Sequence, residues 1–250
     1  MKFKLIILFI IIYSKLFSAN FEFAFGGGVG DSAEFSYAYD PATNVWLSES
    51  GSRIDNGLSA NAFIDIGANF ELPNTNVVLN SVSLLFETGY HYYMRVRTRY
   101  EDYPEYKHRF FYHNLILGVI TKLNFNNDIS FGIGAGIYLP LYSESSKRRY
   151  EVNIGLASYY YDGYKKFDFK KISYMYKVPI MPYIKLNLER NFYMSKRWTF
   201  KFGANLIYNF GMEFDMDKLK SGSYGYGYDK YKFSSLSGEV FLGFSFGRPK

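Results

Sequence analysis

Residues 58–70 read LSANAFIDIGANF, and they sort into two faces by parity. Leu58, Ala60, Ala62, Ile64, Ile66, Ala68 and Phe70 fall on one face, against Ser59, Asn61, Phe63, Asp65, Gly67 and Asn69 on the other. A period of two is the alternation of a β-strand, whose successive side chains point to opposite sides; a helix would repeat every ~3.6 residues.

The same period recurs on both sides of this stretch. It predicts strands at Asn20–Gly30 (Phe21, Phe23, Phe25), at Ser81–Tyr93 (Val82, Leu84, Phe86, Tyr90, Tyr92) and around Leu115, Leu117 and Val119. Ile129–Leu141 sets Ile129, Phe131, Ile133, Ala135, Ile137 and Leu139 against Ser130, Gly132, Gly134 and Gly136. Further alternating runs are Val178–Leu188, weakened by Pro179 and Pro182, then Trp198–Phe210 and Leu236–Phe246. Eight strands and no helix are expected. Glu151–Ser158 and Phe35–Tyr39 also alternate; read as projecting hairpins they keep the count at eight, while ten strands is the alternative that an even count leaves open.

The connections alternate in length. Residues 71–77, 124–128 and 189–197 are short; 31–57, 94–109, 142–177 and 211–233 are long. Short turns at one end and long loops at the other, around an even number of strands, describe a barrel that crosses a bacterial outer membrane, with both chain ends on the periplasmic side and the long loops extracellular. Aromatics gather at the strand ends, where amphipathic rings favour a membrane interface. Tyr90, Tyr92, Phe110, Tyr112, Tyr138, Tyr142, Tyr174 and Tyr176 lie toward the loops; Phe70, Phe125, Trp198 and Phe246 lie toward the turns. A soluble lipocalin-like barrel would expose a polar outer face, whereas here one face is nearly pure apolar and the other carries the charge.

Composition agrees. The chain has 250 residues, of which 21% are aromatic, and no cysteine, which excludes disulfides, thiolate metal sites and Cys nucleophiles. A mean hydropathy of −0.16 is too low for a bundle of membrane helices but suits strands whose two faces differ. Residues 1–19 read as a cleaved signal peptide: Lys2 and Lys4, then the apolar run Leu5–Tyr13, then small Ser18 and Ala19. Its apolar run is too short to span a bilayer. Removal takes Lys2, Lys4 and Lys15 from a formal net charge of +6, so the mature chain is only mildly basic and no nucleic-acid partner is expected.

In strand pattern, loop alternation and a last strand carrying Val240, Leu242, Phe244 and Phe246, residues 20–250 resemble the small outer-membrane β-barrels of the OmpA/OmpX type. The resemblance implies an all-β, eight-stranded, antiparallel up-and-down transmembrane barrel, monomeric and without cofactor or metal, partnered by the bilayer and by the outer-membrane assembly machinery. The family often ends on a terminal aromatic; here Gly247–Lys250 follow Phe246.

With the apolar face toward lipid, the lumen receives Glu22, Asp65, Glu87 and Glu239 against Lys122, Lys177, Lys185 and Lys201, among Asn61, Asn69, Asn187, Asn205 and Asn209. Charges in a narrow barrel require pairing, so a neutral network that fills the lumen is expected; a small ion or solute channel is the alternative. A barrel hydrolase would need Ser, His and an acid in mutual reach. His91 and Ser237 have inward parity, but no nucleophile motif surrounds a serine, His113 has lipid-facing parity and His108 falls in a loop, so no catalytic role is expected. Function is expected instead in the loops, where a structural or adhesin-like role would use Arg148, Arg149, Tyr159, Tyr160, Tyr161, Tyr164, Tyr224, Tyr226 and Tyr228 against a surface ligand or host molecule. The same cationic loops suit anionic lipid headgroups.

Overall fold

A computed structural model describes residues 19–40, 45–48, 56–72, 78–98, 107–147, 163–215, 217–218 and 230–247. The expected signal segment, residues 1–18, lies outside them. The elements are β1 (Ala19–Asp40), β2 (Val45–Ser48), β3 (Asn56–Glu71), β4 (Leu79–Thr98), β5 (Lys107–Phe125), β6 (Ile129–Lys147), β7 (Gly163–Asp168), α1 (Phe169–Met175), β8 (Met181–Tyr193), β9 (Trp198–Asn209) and β10 (Tyr231–Phe246).

Eight of the strands close on themselves in the order β1, β3, β4, β5, β6, β8, β9, β10, every neighbour antiparallel. The closing ladder joins the first and last strands from Phe23↔Phe246 to Ala38↔Tyr231. β2 and β7 stand outside this ring: β2 pairs only with the far end of β1, and β7 only with Tyr142–Lys147 of β6. They extend two walls beyond the barrel, so among the described residues there are ten strands, eight of them in the ring.

The barrel is inside out. Side chains alternate between buried and exposed along β8 and β9, and apart from Arg190 the exposed ones are apolar, such as Leu188 at 55% and Phe202 at 50% exposure. The buried set is polar, with Glu22, Asn69, Asn124 and Ser130 all at 0%. Water would not tolerate so wide an apolar surface on a monomer, so lipid is the medium this outer face fits. The 12 residues of β9, at ~3.4 Å per residue and a tilt near 40°, rise roughly 30 Å, enough to cross the apolar band of an outer membrane.

Local chemistry fixes the ends. Asp128 turns at φ 64 in the tight β5–β6 connection, a left-handed conformation that Asp tolerates, and Asn191 N–H donates to its carbonyl at 2.8 Å. In the β8–β9 turn, Ser195 Oγ accepts from the backbone N–H of Trp198 at 3.1 Å. Pro140 sits where the β5–β6 register shifts, a place that needs no ladder donor.

Several strand limits differ from the sequence reading. β1, β4 and β6 run on into the segments expected as loops, and β5 begins at Lys107, which puts His108 in a strand. β8 begins at Met181 rather than Val178, because Pro179 cannot donate to a ladder, and it continues to Tyr193 through residues whose polarity reads as a turn. α1 was not expected. Asp168 caps it by accepting from Lys171 N–H at 2.9 Å, and Ile172 is its buried residue.

Candidate functional site: the lumen and its outer mouth

Three layers fill the barrel. Nearest the short turns, small polar side chains interlock: Asn69 Nδ2 donates to Ser81 and Ser83 Oγ, both at 2.9 Å, and Asn124 Nδ2 donates to the same two hydroxyls at 3.0 and 2.9 Å. Asn191 Nδ2 donates to Ser130 Oγ at 3.0 Å. The amides come from β3, β5 and β8 and the serine hydroxyls from β4 and β6, so short side chains fill the turn end.

Above them lies a chain of ion pairs. Lys122 Nζ is 3.3 Å from Asp65 Oδ2 and 3.1 Å from Glu189 Oε2. Lys201 Nζ is 3.4 Å from Glu189 Oε1 and 3.2 Å from Glu22 Oε1, and Ser83 Oγ donates to Glu22 Oε2 at 2.6 Å. The bridge runs from β3 through β5, β8 and β9 to β1, crossing the lumen. In the same layer, Lys185 pairs with Glu87, which stands opposite Asp65 and to which Tyr183 O–H also donates at 3.5 Å. The glycines make room: a Cβ on Gly136 would meet the Tyr183 hydroxyl at 2.8 Å, and one on Gly118 would overlap it.

The third level centres on Glu239. It accepts from Ser59 O–H and Asn61 Nδ2, and its Oε1 lies 3.3 Å from His91 Nε2. Ser59 Oγ is 3.1 Å from the same nitrogen. The His91 ring stacks on Tyr138 at 4.5 Å, and Tyr138 stacks on Tyr183 at 4.5 Å. An apolar cap follows, in which Tyr93, Tyr112, Ile116, Met181, Ile207 and Phe233 of the strands pack with Ile172, Tyr176 and Met212. α1 is therefore a lid over the mouth at the end of the long connections. It is tied to residues 213–215 by Lys177 N–H to Glu213 O at 3.0 Å and Asp215 N–H to Met175 O at 2.9 Å.

Seven of the eight charged residues expected in the lumen are buried there: Glu22, Asp65, Glu87, Glu239, Lys122, Lys185 and Lys201. Lys177 is not. It lies ahead of β8, its side chain is 44% exposed, and it pairs with Glu213 at 2.5 Å outside the barrel. That hydrogen bond holds its ammonium above the usual lysine value. Glu189, not expected in the lumen, joins the network as a further carboxylate, because β8 extends past the expected turn. Among the described residues the lumen thus holds five carboxylates, Glu22, Asp65, Glu87, Glu189 and Glu239, against three lysines and His91.

Tyr112, Tyr138 and Tyr176, expected in the girdle on the long-loop side, are buried in the cap instead: the first two have inward strand parity, and Tyr176 follows α1 where it bridges to Phe214. Among the loop candidates, Arg148, Arg149, Tyr159, Tyr160, Tyr161, Tyr224, Tyr226 and Tyr228 lie outside the described residues. Tyr164 belongs to β7, opposite Ser146. Glu189, Ser59 and Tyr183 were not singled out from sequence, although continued alternation of β8 through Asn187, Glu189 and Asn191 carried the signal for the first.

A closed eight-stranded antiparallel barrel, apolar outside and charged within, is the architecture of the small outer-membrane β-barrels. Solved structures with a similar arrangement include Ail, the attachment invasion locus protein of Yersinia pestis, at 11% identity over 90% of this chain and 99% of that one, TM-score 0.36. They also include the outer membrane protease OmpT of Escherichia coli, at 8% identity over 92% and 97%, TM-score 0.39. A third is the outer membrane protein OprG of Pseudomonas aeruginosa, at 11% over 91% and 96%, TM-score 0.33. No protein-family model matches the chain, and no curated protein matches it. Identity at this level carries no functional information.

Proposed function

We propose that the chain is a monomeric bacterial outer-membrane protein whose sealed barrel anchors outward loops for contact with a surface ligand, the long connections being extracellular and both chain ends periplasmic. The filled lumen carries this reading. Lys122 bridges Asp65 and Glu189 across the middle, and Ile172, Tyr176, Met212 and Phe233 cover the mouth. A barrel of eight strands has room inside for side chains and little else. The working surface then falls to the segments beyond the walls, whose tyrosines supply broad contact at low entropic cost.

Catalysis is not part of the reading. His91 presents one nitrogen, Nε2, to both Ser59 and Glu239, whereas a base oriented by an acid uses both ring nitrogens; Ser237 is buried in β10.

A channel is the second reading, favoured by the excess of carboxylates over lysines in the lumen. Single-channel recording from the refolded protein in a planar bilayer separates the two. Silence from a barrel shown to be folded by heat-modifiable gel migration is expected; discrete, reproducible steps would overturn the anchoring reading in favour of a pore.

A further inference from the structure

We propose that the outer wall formed by β4 to β7 and α1 binds the phosphate-bearing headgroup of a lipid in the leaflet it faces. This inference rests on the barrel being embedded in a membrane and goes beyond its anchoring role. Tyr90 O–H is hydrogen-bonded to His113 Nδ1, the His113 ring stacks on Tyr142 at 3.9 Å and 16°, and Lys166 Nζ stands 4.2 Å over the Tyr142 ring. Together they make a flat, outward platform with a cation held at one end.

Its height is set by register. Tyr90 is opposite Leu115, and Leu115, Leu117 and Val119 continue the same outward row toward the turns while Phe111 follows on the other side, so the platform lies toward the loop end of the apolar belt. Asp168 lies opposite Tyr142, and α1 starts at the next residue. This short helix turns Ile172 into the mouth and leaves Phe169 and Tyr174 about half exposed, with Lys170 and Lys171 exposed beside them. Exposed rings among lysines at the edge of an apolar wall are the composition of a segment lying in a headgroup layer.

The charge fits a phosphate. Among the described residues, Lys166, Lys170 and Lys171 exceed the two carboxylates of this wall by one: Glu144 faces Lys166 across the β6–β7 ladder and offsets it, and Asp168 caps α1, which leaves Lys170 and Lys171. A lysine ammonium binds phosphate as a point charge, and each one near a membrane surface adds to the attraction. The lipid, rather than a free anion, is specified by the belt directly beneath: acyl chains of a bound headgroup lie along Leu115 and Leu117, and a soluble anion would have no use for that wall.

The test uses the full-length protein in nanodiscs of phosphatidylcholine containing diphosphorylated lipid A, with retained lipid counted by native mass spectrometry and the His113 ring followed by NMR. Wild-type protein is expected to retain lipid A and to shift the His113 signals. Lys166→Gln, Lys170→Gln and Lys171→Gln combined should weaken retention roughly tenfold or more, and Tyr142→Ala should abolish the His113 shift, both with unchanged heat-modifiable migration. Equal retention by the triple variant, equal retention of dephosphorylated lipid, or displacement by inorganic phosphate at comparable concentration would each overturn the proposal. A protein that enters the discs but retains no lipid A overturns the site alone; one that stays in the soluble fraction overturns the membrane reading itself.

Discussion

Lys122 is 3% exposed and holds two carboxylates that have no route to water, Asp65 and Glu189. Removing a cation from such a group is costly because the remaining charges stay buried, whereas removing all partners together is nearly neutral. Lys122→Met should therefore destabilise the barrel by about 3–5 kcal/mol in urea unfolding from lipid vesicles, and adding Asp65→Asn with Glu189→Gln should restore most of the loss. A single variant as stable as wild type would argue that the bridge contributes little. At Gly118 the cost is steric: Gly118→Val puts methyl groups where the Tyr183 ring lies and should cost about 1–3 kcal/mol by the same assay. Inward parity made most of these residues legible in the sequence. Their partners were not, since which strands meet across a lumen depends on tilt and stagger, and no local pattern records those.

Among the elements, α1 and β7 are not foreseen by the sequence reading, whose hairpin at Glu151–Ser158 lies outside the described residues; α1 is the more informative. Asp168 as cap and the spacing of Phe169, Ile172 and Tyr176 carried a helical signal, but seven residues inside a long polar connection are too few to stand out against a period of two. The lid they form is held partly by exposed ion pairs. Lys218 donates to the Asp215 carboxylate and holds it below the usual aspartate value, and the Glu213 carboxylate holds the Lys177 ammonium up. Asp215, depressed when folded, contributes fully above its ordinary value of 3.8 and loses that contribution as pH falls through the lower folded value. Lys177, raised when folded, contributes fully below 10.5 and loses it as pH rises through its raised value. Peroxide oxidation of Met212, buried beneath the lid, should thus be slowest between these limits and should accelerate at both extremes, as read by mass spectrometry. Ile172→Asp should expose Met212 to oxidation at neutral pH while conductance stays silent, because the ion pairs below the lid remain. Strand number and loop alternation were legible from hydrophobic period alone; the limits of β8 were not, since Glu189, Arg190 and Asn191 look like a turn whether or not a lumen is there to receive them.

For the whole molecule, the closure of β1 on β10 makes folding depend on both ends of the described chain. Truncation after Lys230 removes β10, leaves β1 and β9 with open edges in lipid, and should abolish heat-modifiable migration altogether, since unpaired backbone has no partner in a bilayer. A subtler failure is a strand that pairs one notch out of place. In an alternating strand a slip of one residue is forbidden, because it would turn charge toward lipid, but a slip of two keeps every face correct and almost every apolar contact intact. The buried charges remove that freedom. A two-residue slide of β10 would carry Glu239 away from Ser59, Asn61 and His91, and the same slide of β9 would take Lys201 from Glu22 and Glu189. Each pair is satisfied in one alignment, so the lumen works as a combination lock: the lipid face tolerates many settings of the strands, and the charged interior accepts one.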